Sequence, residues 1–132
     1  MSIATTRIGK VGVVCIPVSD QERALDFYLN TLGFEKRADT PFGDGYRWVE
    51  VAPAGADTTI AIVPPPPGQP TGGMQTGIGL HTTDIEADHA ALKAAGVDVD
   101  EEISRMGDPV PPLCWFRDPD ANILMLVEVP AA

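Results

Sequence analysis

The feature that most constrains this chain is an internal repeat. The first copy runs VGVVCIPVSD, QERALDFYLNTLGF, YRWVEVAP and DTTIAIV; the second runs GIGLHT, TTDIEADHAALKAAGV, PLCWFRD and NILMLVEV. The distance from helix-start aspartate to helix-end glycine is nearly the same in both, Asp20 to Gly33 and Asp84 to Gly96. VAPAGADTTIAIV likewise parallels RDPDANILMLVEV. A chain that repeats one order of elements folds as two like units, each needing a partner to cover its apolar face.

Within each copy the same signals recur. GVVCIPV is a short apolar run with β-branched residues and no helical period, so it reads as a buried strand. Ser19 and Asp20 suit a helix N-cap, Leu25, Phe27, Tyr28, Leu29 and Leu32 share one helical face, and Gly33 suits the C′ position. FEKRAD, YRWVEVA and DTTIAIV then read as strands. In the second copy GIGLHT is the strand, Thr83 and Asp84 the cap, and Ile85, His89, Leu92 and Ala95 the face that Gly96 ends. VDVDEEI, PLCWFRD and NILMLVEV follow as strands. The expectation is an α+β chain of two tandem βαβββ modules forming one domain. Residues 1–64 make the first module and 77–132 the second. Between them, 65–76 make a linker, most of it from the proline- and glycine-rich stretch PPPPGQPTGG, which reads as irregular. Two such sheets can enclose a cleft, the default place for a small-molecule site.

Composition narrows the function. The 132 residues carry a net charge of −10, which repels nucleic acid and anionic membrane; it reads first as a solubilising surface, with attraction for a cationic ligand as the second reading. No apolar run is long enough to span a bilayer, and MSIATTRIGK lacks the apolar core of a signal peptide. Cys15 and Cys114 lie far apart in apolar segments without CxxC spacing. Buried, reduced thiols in a cytoplasmic protein are the simplest reading, with a Cys15–Cys114 bridge left open. TGIGLHTTDIEADH gathers both histidines, His81 and His89, among carboxylates, as a metal site would. His89, however, belongs to the helix beside its apolar face, and the carboxylates suit a cap and a helix surface.

PVSDQERALDFYLNTLGF, then TTDIEADHAALKAAGV, then FRDPDANILMLVE resemble the vicinal oxygen chelate superfamily over nearly the whole chain. That superfamily includes glyoxalase I, extradiol dioxygenases, fosfomycin-resistance enzymes and bleomycin-resistance proteins. The resemblance implies paired βαβββ modules, each giving half of an open barrel around a cleft, and commonly a homodimer. It also implies where a metal would sit: His, Glu, His and Glu of metal-using members correspond to Val13, Ala61, Gly77 and Met125. None is a ligand for a hard divalent ion, and a one-residue shift of register brings in only Val14, Ile60, Ile62, Ile78, Leu124 and Leu126. The metal-polarised chemistry of the family is therefore not expected, nor any cofactor. The nearest class is the metal-free binding proteins of the superfamily.

Strand alternation sorts the remaining candidates. Val13, Cys15, Ala61, Gly77, Gly79, His81 and Met125 fall on the cleft face, with Thr59, Val63, Ile123 and Val127 on the same parity. If Val49 and Val51 face the helices, Trp48 and Glu50 face the cleft, where they would stack on a flat cation and neutralise it. The rival reading makes Trp48 core filling and Glu50 an exposed edge. Phe42 and Tyr46, around the turn FGDGY, and Met106 are candidate rim residues. Cys114 and Trp115 have opposite parity, so at most one faces the cleft. DPDAN reads as a structural turn before the last strand; the family commonly places glycine where Ala121 stands. The favoured function is binding of a small hydrophobic or aromatic, possibly cationic, molecule without metal. Two rivals stand beside it. One is an enzyme of the superfamily that is metal-independent or has a displaced metal site around His81, with His81 as the candidate catalytic residue. The other is a non-catalytic partner module with a vestigial cleft.

Overall fold

The computed structural model describes residues 5–43 and 45–131. The first four residues of MSIATTRIGK, Asp44 of the FGDGY turn and Ala132 lie outside the described residues. The fold is α+β. Strand β1 (Val13–Pro17) leads into α1 (Gln21–Asp26), which widens into a π-type turn over Phe27–Thr31. Strands β2 (Glu35–Phe42), β3 (Tyr46–Ala52) and β4 (Thr59–Val63) complete a four-stranded sheet in the order β1-β4-β3-β2. Strand β5 (Gln75–Thr82), α2 (Ile85–Ala94), β6 (Leu113–Arg117) and β7 (Ile123–Glu128) form the second half, with sheet order β5-β7-β6. In each half the first strand runs parallel to the last, β1 with β4 and β5 with β7. The sequence repeat is thus a repeat of topology.

Helix ends follow from local chemistry. Asp20 accepts a hydrogen bond from the Arg23 amide and Asp84 one from the Ala87 amide, so each aspartate satisfies a donor that the first helical turn leaves free. At the end of α2 the Val97 amide reaches the Leu92 carbonyl and the Gly96 amide reaches that of Lys93, a Schellman closure with Gly96 at φ +80. Gln21 ties the start of α1 to the sheet by donating to the carbonyls of Arg47 and Ile62 at 2.8 and 2.9 Å.

VDVDEEI departs from expectation. It makes one isolated bridge, Val99 with Phe116, followed just beyond it by Ser104 with Leu113, and not a continuous strand. The acids explain the difference: Asp100 turns its side chain to Arg117 at 2.7 Å and to the Trp115 amide at 3.4 Å, while Val99 alone is buried. Strand β5 begins at Gln75, two residues before GIGLHT, because Thr76 donates to the Ile123 carbonyl and Gln75 lies opposite Ile123.

Both halves share one core. Its buried members include Ile16, Ile60 and Ile62 from the first sheet, Leu124 and Leu126 from the second, and Phe27 against Phe116 at 6.4 Å between ring centres. Val14, Ile78 and Leu80 pack on its margin. The two sheets therefore turn their helix-bearing sides toward each other. A polar joint holds them. Asp118, buried, accepts from the Tyr28 hydroxyl at 3.0 Å, from the Asn122 side chain at 3.1 Å and from the amides of Asp120 and Asn122 at 2.9 Å. Asn122 also donates to the Pro17 carbonyl at 3.0 Å. Asp120 accepts from Ser19 and pairs with Arg23 at 3.1 Å. Burial, and then the Asp118 charge, push the Tyr28 hydroxyl far above its ordinary range, so it remains a neutral donor. The connecting segment is pinned here as well: Gly72, at φ +91, lies so close that a Cβ would sit 2.5 Å from the Asp120 carbonyl oxygen.

Two stability changes are expected. Tyr28→Phe leaves the Asp118 carboxylate short of a donor and should cost about 1–3 kcal/mol in urea unfolding. Ala121 holds φ +61 in the DPDAN turn. Since a side chain is strained there, Ala121→Gly should gain about 1 kcal/mol in the same measurement.

Candidate functional site

The sheet faces turned away from the core carry the candidate residues. On the first sheet, Val49 and Val51 are fully buried in the core, which places Trp48 and Glu50 on the opposite face. Glu50 lies opposite Ala61, Ala61 opposite Cys15, and Val13 opposite Thr59. Trp48 and Tyr46 pair across with Thr40 and Phe42. The result is a shallow floor of Val13, Cys15 and Ala61 with an aromatic bank at one end. There Phe42 stacks on Tyr46 at 5.8 Å and meets Trp48 edge-on at 6.5 Å.

Glu50 is the polar centre of this face. The Trp48 indole donates to one carboxylate oxygen at 2.6 Å and the Thr59 hydroxyl to the other at 2.5 Å. These two bonds, Thr59 first, hold the carboxyl below its ordinary range and so keep it ionised. No ion pair among the described residues includes Glu50. Thr59 as a donor to Glu50 was not foreseen. The signal was available, because both residues have the same parity on adjacent strands.

On the second sheet Cys114 is buried in the core, so Trp115 takes the outward face. Trp115 lies opposite Met125, and Met125 opposite Gly79. The missing Cβ of Gly79 leaves room for Met125 and Val127, whose methyl groups stand 3.3 and 3.5 Å from where it would be. Gly77, at φ +71, occupies the shift of register between Gln75 and Gly79. His81 is exposed at the strand end.

Within one chain the candidates form three groups. Gly77, Gly79 and His81 border an open cavity of about 560 Å³ between β5 and the loop before β4, whereas Val13, Cys15, Trp48, Glu50 and Ala61 lie on the first sheet's outer face. Met125 sits with Trp115 on the second. Because the core fills the space between the sheets, these faces look away from each other. Val13, Phe42 and Tyr46 are 41, 49 and 47% exposed, and Met106, in its loop, 68%.

The positions corresponding to the family's metal ligands show a symmetrical register. Ala61 lies opposite Cys15, two residues beyond Val13, and Met125 opposite Gly79, two beyond Gly77. The places match, but their side chains offer no hard donor, so the residues present do not fit such a metal. Among the described residues no three His, Cys, Asp or Glu side chains gather to hold an ion. His89 lies 2.7 Å from the Asp100 carbonyl through Nε2, a structural contact. Both cysteines are free, but only Cys114 is buried as expected, Cys15 being exposed; burial, and then the nearby Asp100 and Asp88, push the Cys114 thiol up. No helix among the described residues is long and apolar enough to cross a membrane.

Comparison with known proteins agrees with this architecture. The antibiotic-binding protein TnmS3 from Streptomyces sp. CB03234 is 41% identical, with a TM-score of 0.81 over 96% of this chain and 99% of that one. A member of the glyoxalase/bleomycin resistance protein/dioxygenase superfamily from Sphaerobacter thermophilus DSM 20745 is 40% identical, with a TM-score of 0.86 over 94% of this chain and all of that one (100%). YetH of Bacillus subtilis (strain 168), an uncharacterized protein, is 32% identical over 92% of this chain and 99% of its own length. The family model matches residues 10–126, and the chain belongs to the glyoxalase/bleomycin resistance protein/dioxygenase superfamily.

Proposed function

We propose that this protein binds, without metal and without transforming it, a flat aromatic molecule bearing a positive charge. The observation that carries the reading is Glu50: an ionised carboxylate, fixed by Trp48 and Thr59, on an apolar floor beside three aromatic rings and with no cation of its own. Such a surface offers a ring a stacking partner and a cation a counter-charge. The net charge of −10 draws the same class of ligand. The 41% identical antibiotic-binding protein supports binding as the role. A natural product of that general kind is the ligand class to test first.

One face alone is too open to enclose a ligand. We propose that a second copy completes the cleft, the first sheet of one protomer facing the second sheet of its partner. Support comes from the outward aim of both faces, the exposed Val13, Phe42 and Tyr46, and the edges of β1 and β5, each paired on one side only. Trp115 and Met125 of the second sheet would then lie across from Trp48 and Glu50.

Two experiments test this. Calorimetry with 1-naphthylmethylamine and its neutral counterpart 1-naphthalenemethanol should show that Glu50→Gln weakens the amine about tenfold, roughly 1.4 kcal/mol, and leaves the alcohol unchanged. Because the carboxyl titrates below its ordinary range, amine affinity should stay level from pH 7 to 5 and fall only below about pH 4.3, the usual value for glutamate. The stability that Glu50 contributes follows the same sign, present above that value and lost as pH falls through the lowered one. Equal loss for amine and alcohol would defeat the charge assignment. Sedimentation should give twice the 14.0 kDa chain mass. Val13→Lys should yield a monomer with at least tenfold weaker binding; a monomer of undiminished affinity would refute the shared cleft.

A further inference from the structure

We infer a second small-molecule site, inside one chain and on the helix side of the sheets, that takes a compact apolar ammonium ion. A cavity of about 300 Å³ opens between the end of the π-type turn, the start of the β3–β4 loop, the end of β5 and the inward side of α2. Its floor is apolar: Leu32, Phe34, Leu80, Leu92 and Phe116. Leu92 and Phe116 belong to the shared core, while Leu32, Phe34 and Leu80 pack on its margin without closing over it. The cavity is therefore a gap left where the two halves meet, beside the Phe27–Phe116 contact.

One charge faces this floor. Asp88 lines the cavity one helical turn before Leu92, on the same side of α2. It is half-buried and enters no ion pair among the described residues, although Glu86 and Lys93 on the same helix pair with Arg105 and Glu101. A carboxylate above an apolar floor selects a ligand with a hydrophobic body and a positive end. A volume of about 300 Å³ is at the small end of ligand pockets, enough for one ring and a short arm and too small for a fused-ring natural product. The site thus differs from the outer faces in size, in its charged residue and in needing no second copy.

Benzylamine is the probe, with benzyl alcohol as the neutral comparator, both followed through leucine and valine methyl resonances. His81 borders the same cavity, so the titration is run at pH 8, above the ordinary imidazole range. Benzylamine is expected to shift the methyl signals of Leu32, Leu80 and Leu92 saturably and leave those of Val13 and Val127 in place. Asp88→Asn should weaken the amine about tenfold and leave the alcohol unchanged. Ala91→Trp, which fills the cavity from an exposed helix position, should abolish both. Shifts confined to Val13 and Val127 would assign the amine to the outer faces and overturn the proposal. So would an Asp88→Asn variant with unchanged amine affinity, or an Ala91→Trp variant that alters the oligomeric state and still binds.

Discussion

A single buried carboxylate organises this molecule. Asp118 lies at the junction of the two halves and collects four donors, from Tyr28, Asn122 and the backbone of its own turn. An unpaired charge in that position would cost several kcal/mol, so the turn, the helix and the end of β1 must all be in place together. Asn122 and Asp120 extend the joint to Pro17, Ser19 and Arg23. Because the joint fixes the second half against α1, the helix-bearing sides face inward and the candidate faces outward. Which sheet faces are left outward is thus a consequence of where one aspartate is satisfied.

Glu50 shows the same chemistry used to a different end. Asp118 is saturated by donors and closed to ligands. Glu50 has two donors, one on each oxygen, and retains open lone pairs on an accessible face. The first carboxylate is engaged wholly within the fold, while the second, bonded by Trp48 and Thr59, enters no ion pair among the described residues. The family ligand positions make the contrast sharper. Val13 and Ala61 on the first sheet and Gly77 and Met125 on the second hold corresponding places in the register, and none of the four offers a hard donor.

Much of this was legible in the sequence because it is local. Asp20, Gly33, Asp84 and Gly96 announce their helices through caps and a left-handed turn, and the alternation in TIAIV and ILMLVE assigns faces without any knowledge of tertiary contacts. The parity of Trp48 and Glu50 was legible for the same reason. VDVDEEI was misread because alternation cannot reveal that Asp100 has a better use for its side chain, with Arg117 on β6. Nor could parity decide between Cys114 and Trp115, since both have apolar bodies and only packing against Phe116 and Leu124 makes the distinction. The joint was invisible for a deeper reason. Tyr28 and Asp118 are 90 positions apart, and nothing in either segment names the other. Without that pairing, the sequence suggested one shared cleft for both modules, where the single chain turns the two candidate faces away from each other.

The pinned glycine of the connecting segment bears on how such a chain assembles. Exchange of halves between chains requires a hinge that can swing open, and here the hinge is held where Gly72 passes under Asp120 with no space for a side chain. Within the chain described, the core is completed by its own two halves. Where finished copies then associate, the step is bimolecular and leaves the hydrophobic interior undisturbed. Dilution would separate such copies without unfolding them, and binding that depends on the pair would fade with protein concentration while the fold persisted.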